Sequence, residues 1–192
     1  ALLAAGAAAQ AERERHRSLR ETRHASEASA RALEADAVRS RHVRRELLAS
    51  TLAGNACELL WVTDYTAPQC EIDARRAVAL TARVHPGDAH ASWMMHGILD
   101  FLTGPSAEAD ALRRQLLFLV VPMLNPDGVI IGNYRCSLAA VDLNRRWARP
   151  SEKLHPTICA FKRLLLRTHA RQPVAMFVDL HGHSRKQNVF MY

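Results

Sequence analysis

The sequence predicts an α/β fold, a mixed and largely parallel central sheet flanked by helices. Three observations predict it. Short apolar runs of strand length alternate along the chain with longer segments of helical period. One of them, residues 116–121 (LLFLVV), is apolar throughout and reads as a buried strand. Three of them end abruptly in polar clusters, His85-Pro86-Gly87-Asp88, Asn125-Pro126-Asp127-Gly128 and His181-Gly182-His183-Ser184.

The elements follow in order. Residues 59–63 (LLWVT) and 78–84 (VALTARV) are expected strands. Residues 91–102 fit a helix with Trp93, Met94, Ile98, Phe101 and Leu102 on one face. Residues 116–121 form a buried strand, and NPDG after it is most simply a tight turn. Residues 156–169 form a helix with proline in its first turn and Ile158, Phe161 and Leu165 spaced for one face. Residues 174–180 are a strand, and residues 188–192 start one more. Trp93, Phe101, Phe118, Trp147 and Phe161 are expected in the core.

Composition divides the chain. All eleven aromatic residues lie at Trp61 or later, and the first proline is Pro68. Residues 1–46, rich in Ala, Arg and Glu, are expected to be a helical or flexible extension with pairs such as Glu27 with Arg31. Residues 47–192 carry the folded domain. The chain begins at Ala1 and ends at Tyr192 after an expected strand, so both ends read as cut and the sheet as incomplete at the C-terminus.

The 192 residues carry a net charge of +7, nearly all of it from arginine, since lysine occurs only at 153, 162 and 186. A basic surface favours acidic partners. No RNA-binding aromatic motif or zinc finger is present, so nucleic acid is not an expected partner. The longest apolar run, residues 116–124, is far below the ~20 residues of a membrane-spanning helix, and no membrane partner is expected. The cysteines at 57, 70, 136 and 159 form no CxxC pair, and they read as reduced thiols of a cytoplasmic protein.

Ligands of open α/β sheets bind outside the carboxyl ends of the strands, and three strands aim polar groups at one such edge. A catalytic zinc takes three protein ligands and keeps one position open. His85 and Asp88 supply a nitrogen and a carboxylate from one turn, and a histidine from the distant HGH segment supplies a second nitrogen. Spacing leaves His181 and His183 as equal choices, because alternation puts both on one face of an extended segment.

The ordered runs ARVHPGDAHASWMMHGILDFL, VVPMLNPDGVIIGNYRCSLAAVDLNRRW, HPTICAFK and FVDLHGHSRKQNVFMY, over residues 47–192, resemble the cytosolic carboxypeptidases, a branch of the zinc metallocarboxypeptidases. The resemblance implies a metallocarboxypeptidase-like fold and one zinc ion held by His85, Asp88 and His181. It implies that Arg135 polarises the scissile carbonyl and contacts substrate. It assigns Asn144 and Arg145 to the terminal carboxylate of the substrate, an Arg fork being suited to a carboxylate. It gives Asp142 the task of orienting His85. The implied reaction is removal of C-terminal residues, glutamate above all, from peptides or proteins such as tubulin, whose acidic tails suit the basic chain.

Two departures qualify the resemblance. The family glutamate of the HPGE box is Asp88, one methylene shorter, from which a weaker metal site is expected. The family's general base has no counterpart up to Tyr192, so the chain as given is expected to have little activity. A different class of function remains, a non-catalytic binder that keeps Arg135, Asn144 and Arg145 to hold acidic C-termini and needs no zinc.

Overall fold

The computed structural model describes residue 10 and residues 36–183 and 185–192. The expected Glu27–Arg31 pair, with most of the N-terminal extension, lies outside them. Among the described residues five strands form one sheet: β1 (Val43–Ser50), β2 (Ala56–Val62), β3 (Arg76–Ala82), β4 (Leu116–Val121) and β5 (Val174–Leu180). Their spatial order is β1-β2-β4-β3-β5. β3 pairs parallel with both β4 and β5, whereas β2 runs antiparallel to β1 and β4. The sheet is thus mixed, with β2 alone opposing the other four.

Side-chain alternation splits the core into two layers. Val78, Leu80 and Ala82 of β3 and Phe118 and Val120 of β4 face a layer with Met95, Leu99 and Leu102 of helix α2 (Ala89–Thr103). Ala77, Ala79, Leu117, Leu119 and Val121 face the opposite layer, with Ile158, Phe161 and Leu164 of helix α5 (Pro156–Arg171). Two covered faces explain why β3 and β4 show no polar alternation. The other α-helices among the described residues are the shorter α1 (Gln69–Ala74), α3 (Ala107–Gln115) and α4 (Pro126–Ile131). The Ser106 hydroxyl caps α3 by accepting from the Ala109 N–H.

Several expectations change. β1 begins at Val43, so residues 43–46 belong to the sheet and the division at 46/47 falls inside a strand. β1 is an edge strand with Arg44, Arg45 and Glu46 exposed, and such charged edges carry no apolar signal. NPDG is the start of α4, not a tight turn. Asn125 caps that helix by accepting from the Gly128 N–H, and Pro126 occupies its first turn. Trp93 and Phe101 lie on the outer face of α2, 60% and 45% exposed, rather than in the core. The helix presents Ala91, Ser92, Met95 and Leu99 to the sheet instead, because small residues at its start let it approach β3 closely. Phe118 and Phe161 are buried as expected, and Trp147 is half-buried against Phe161 and Phe177. Residues 188–192 form no strand, and Val189, Met191 and Tyr192 are exposed.

The β1–β2 hairpin is fastened to α4 by one buried carboxylate. Asp127 accepts from the Thr51 hydroxyl at 2.5 Å, the Asn55 amide at 2.8 Å and the Ala53 N–H at 3.0 Å. Asp127→Ala is expected to cost about 3 kcal/mol, since it orphans several donors of charge-assisted bonds. Urea unfolding measures it, and a loss under ~0.5 kcal/mol, the usual range for surface changes, would show the fastening to be idle.

Candidate metal centre

The site forms where parallel strands β3 and β5 end side by side, with Ala82 opposite Leu180. Beyond Ala82 the chain turns sharply. Arg83 adopts φ 57°, a left-handed conformation uncommon outside glycine, and its side chain is fully buried. The guanidinium donates to the Pro86 carbonyl at 2.7 Å and the Ser92 hydroxyl at 2.9 Å. It thereby ties the turn carrying His85 and Asp88 to the start of α2. Burial lowers its pKa to about 10, opposed by nearby Asp88, so the group stays charged. Gly87 donates its N–H to the Tyr134 carbonyl at 2.8 Å, and a Cβ there would lie 2.7 Å from that oxygen. Only glycine fits so close an approach.

Asp88 Oδ2 lies 3.6 Å from His85 Nδ1 and 3.3 Å from His181 Nδ1. Two ~2.1 Å ligand bonds at a tetrahedral angle hold their donor atoms ~3.4 Å apart. The spacing therefore fits a small tetrahedral ion, and one ligand atom from each of the three residues lies within 4.8 Å of the others. Each imidazole gives its far nitrogen to a carboxylate. His85 Nε2 pairs with Asp142 Oδ1 at 3.1 Å, and His181 Nε2 with Asp179 Oδ2 at 2.7 Å. Those pairings leave both Nδ1 atoms turned toward Asp88, the arrangement by which outer carboxylates fix the ring orientation of metal-binding histidines.

Burial acts to raise the Asp88 pKa, but bonds from His181, His85 and the Gly182 N–H outweigh it and hold the carboxyl well below its usual range. His181 moves the other way. Its bond to Asp179, then that to Asp88, raise its pKa to about 9 against burial.

Asp142 serves three neighbours. Besides His85 it accepts from Arg135 Nε at 2.8 Å and from the Asn144 N–H at 2.9 Å. It thus joins the His85–Asp88–His181 trio to Arg135, which stays 47% exposed, and to the 3₁₀ turn Leu143–Arg145. Asn144 Nδ2 stands 3.4 Å from His181 Nε2. Arg145 is exposed on the same turn, and its guanidinium donates to the Asn144 carbonyl at 3.3 Å. His183 lies outside the group: its Nδ1 accepts from the N–H groups of Arg185 and Lys186. The sequence reading missed Asp179, although an aspartate inside the apolar run VAMFVDL is itself a signal. It sits across from Thr81 in the β3–β5 register and accepts from the Thr81 hydroxyl at 2.7 Å.

A family model described as zinc carboxypeptidase matches residues 30–192. The chain belongs to the zinc carboxypeptidase family. It is 49% identical over 157 residues to cytosolic carboxypeptidase 1 of Xenopus laevis, an alignment covering 79% of this chain and 13% of that protein. To cytosolic carboxypeptidase 2 of Danio rerio it is 46% identical, covering 82% of this chain and 22% of that one. The chain therefore spans less than a quarter of these relatives. Among solved structures it resembles a metallo-carboxypeptidase from Burkholderia cenocepacia (TM-score 0.69, 28% identity, 81% of this chain and 40% of that one). It also resembles a metallo-carboxypeptidase from Pseudomonas aeruginosa in complex with (2-guanidinoethylmercapto)succinic acid (TM-score 0.60, 32% identity, 72% and 35%). Among the described residues no helix is long and apolar enough to cross a membrane, and all four cysteines are free.

Proposed function

We propose that this chain carries the metal centre and part of the substrate site of a zinc-dependent carboxypeptidase that acts on the C-termini of peptides or proteins. One observation carries the reading. A His–Asp–His trio, in which the carboxylate oxygen stands 3.3 and 3.6 Å from the two imidazole nitrogens, shares a carboxylate, Asp142, with an arginine and an asparagine-bearing turn beside it.

His85, Asp88 and His181 hold one zinc ion per chain. Zinc bound there supplies Lewis-acid activation of a carbonyl and of a water. The chain's own residues do the rest. Asn144 and Arg145 receive the terminal carboxylate of the substrate and so restrict the site to chain ends. Arg135, aimed by its bond to Asp142, offers its guanidinium to the oxygen on which negative charge develops. The succinic acid derivative bound to the Pseudomonas relative supports a site suited to carboxylates.

The glutamate preference, the acidic tails of tubulin as substrates and a cytoplasmic location form the finer part of the proposal. They are supported by the +7 charge and by the names of the cytosolic relatives. The non-catalytic reading gains no support, because both histidines are oriented as metal ligands, which a carboxylate binder does not need.

The test is metal content and binding. The purified chain is expected to hold one equivalent of zinc by elemental analysis after dialysis, and to lose it in the His85→Ala variant. A chain that holds none would return the choice to the non-catalytic binder.

A further inference from the structure

An asparagine amide has a donor end and an acceptor end, and a ligand meets whichever the protein leaves facing it. For Asn144 the choice is made by an indole. Trp147 Nε1 lies 2.8 Å from Asn144 Oδ1, and an indole N–H can only donate. The reverse orientation would set the amide NH₂ against that N–H, donor against donor. The oxygen is therefore held on the tryptophan, and Nδ2 faces His181.

Nor does His181 absorb that donor. Its Nε2 is 2.7 Å from Asp179 Oδ2, a bond that the imidazole must donate, since a carboxylate only accepts. The 3.4 Å approach of Asn144 Nδ2 to the same nitrogen is thus donor to donor. Among the described residues the amide hydrogens meet no acceptor, and they can take one from a ligand.

Trp147 is itself well fixed. Its ring packs edge-on against Phe161 and Phe177, with centroids 6.1 and 5.8 Å away. Its carbonyl accepts from Lys162 Nζ at 2.9 Å. An aromatic cluster anchored on the buried Phe161 of α5 thereby sets the polarity of a side chain at the site edge.

We infer that Trp147 is a positioning residue for specificity: by locking the Asn144 amide with its NH₂ on the His181 side, it makes the site select chain ends that present a free carboxylate over ends that present an amide. A carboxylate only accepts, whereas a terminal carboxamide can also turn its own donors toward Asn144. The inference rests on the proposed role of Asn144 in holding the substrate carboxylate.

The test uses the full 192-residue chain loaded with one equivalent of zinc. The probes are N-acetyl-Gly-Glu with a free α-carboxylate and the same peptide as its α-carboxamide, titrated by NMR. The parent chain is expected to favour the carboxylate about tenfold, on the scale of one hydrogen bond to a charged group. Trp147→Phe is expected to lower that ratio about threefold or more, the share that Arg145 contributes remaining, while leaving zinc affinity, read by chelator competition, unchanged. A purely structural Trp147 would weaken zinc and both probes together, and that result, or an unchanged ratio, overturns the inference. If the Phe variant fails to fold, benzothienylalanine at position 147 keeps the ring shape and removes only the N–H. Asn144→Ala separates the two levels. If it binds the carboxylate as well as the parent does, or if the parent binds neither probe, the reading of Asn144 falls. If it loses binding while the Trp147 variants keep their preference, only the positioning role falls.

Discussion

Asp88→Ala is expected to weaken zinc binding by more than ~100-fold, beyond what loss of an outer partner to a metal ligand costs. Asp88 is the one anionic member of the trio, and its Oδ2 faces both histidine Nδ1 atoms at 3.3 and 3.6 Å. Without it the ion keeps two nitrogens and no protein charge. Chelator competition at pH 7.5 reads the affinity directly, and a loss under tenfold would show that Asp88 is not a ligand. The companion variant is more discriminating. From sequence, the shorter aspartate implies a weaker site than the family glutamate gives. The structure removes the reason for that expectation, because the Asp88 oxygen already stands at the tetrahedral edge length. Its turn is fitted to the short side chain, with Arg83 pinning Pro86, Gly87 on the Tyr134 carbonyl and the Gly182 N–H on the carboxylate. Asp88→Glu is therefore expected to bind zinc no more tightly than the parent. A tenfold gain would mean that the turn yields and that the aspartate is a handicap.

What the sequence made legible, and what it hid, follows from how each group is held. The clusters after β3, β4 and β5 were visible because polar residues interrupt apolar runs, and the structure sets those strands side by side with their carboxyl ends aligned. The α/β alternation was visible for the same reason. The charged edge strand β1 was not, since with both faces partly in water its residues need no pattern. The outer placement of Trp93 and Phe101 was missed because a helical face was chosen by residue size, whereas packing on β3 demanded small residues at 91 and 92. Asp142 was legible only as a partner of His85. That it also aims Arg135 and seats the Asn144 backbone depends on a loop path that no local pattern encodes. The partnership of Thr81 with Asp179 depends on strand register across 98 positions of chain, which is tertiary information.

The second large effect is on pH. In the metal-free chain His181 keeps its proton up to a pKa of about 9, and zinc must displace that proton from Nδ1. Apparent zinc affinity is therefore expected to rise about tenfold per pH unit between pH 7 and 9 and to level off above. The sign for stability is opposite. A histidine whose pKa is raised by folding stabilises the fold fully below its unfolded value of ~6.5, and that contribution fades as pH rises through about 9. The metal-free chain should lose on the order of 1–3 kcal/mol across this window, a range reduced from the full linkage value because the side chain is 28% exposed. Asp179→Asn decides the cause. Its bond is the largest contribution to the raised pKa, so the variant should level off nearer pH 7 and bind zinc ~10–100-fold more weakly at pH 9, where the proton no longer matters. Equal affinities at pH 9 would mean that Asp179 sets only the charge of His181 and not its orientation. An unchanged break point would mean that Asp88 alone holds the proton, and the two carboxylates flanking His181 would then exchange their roles.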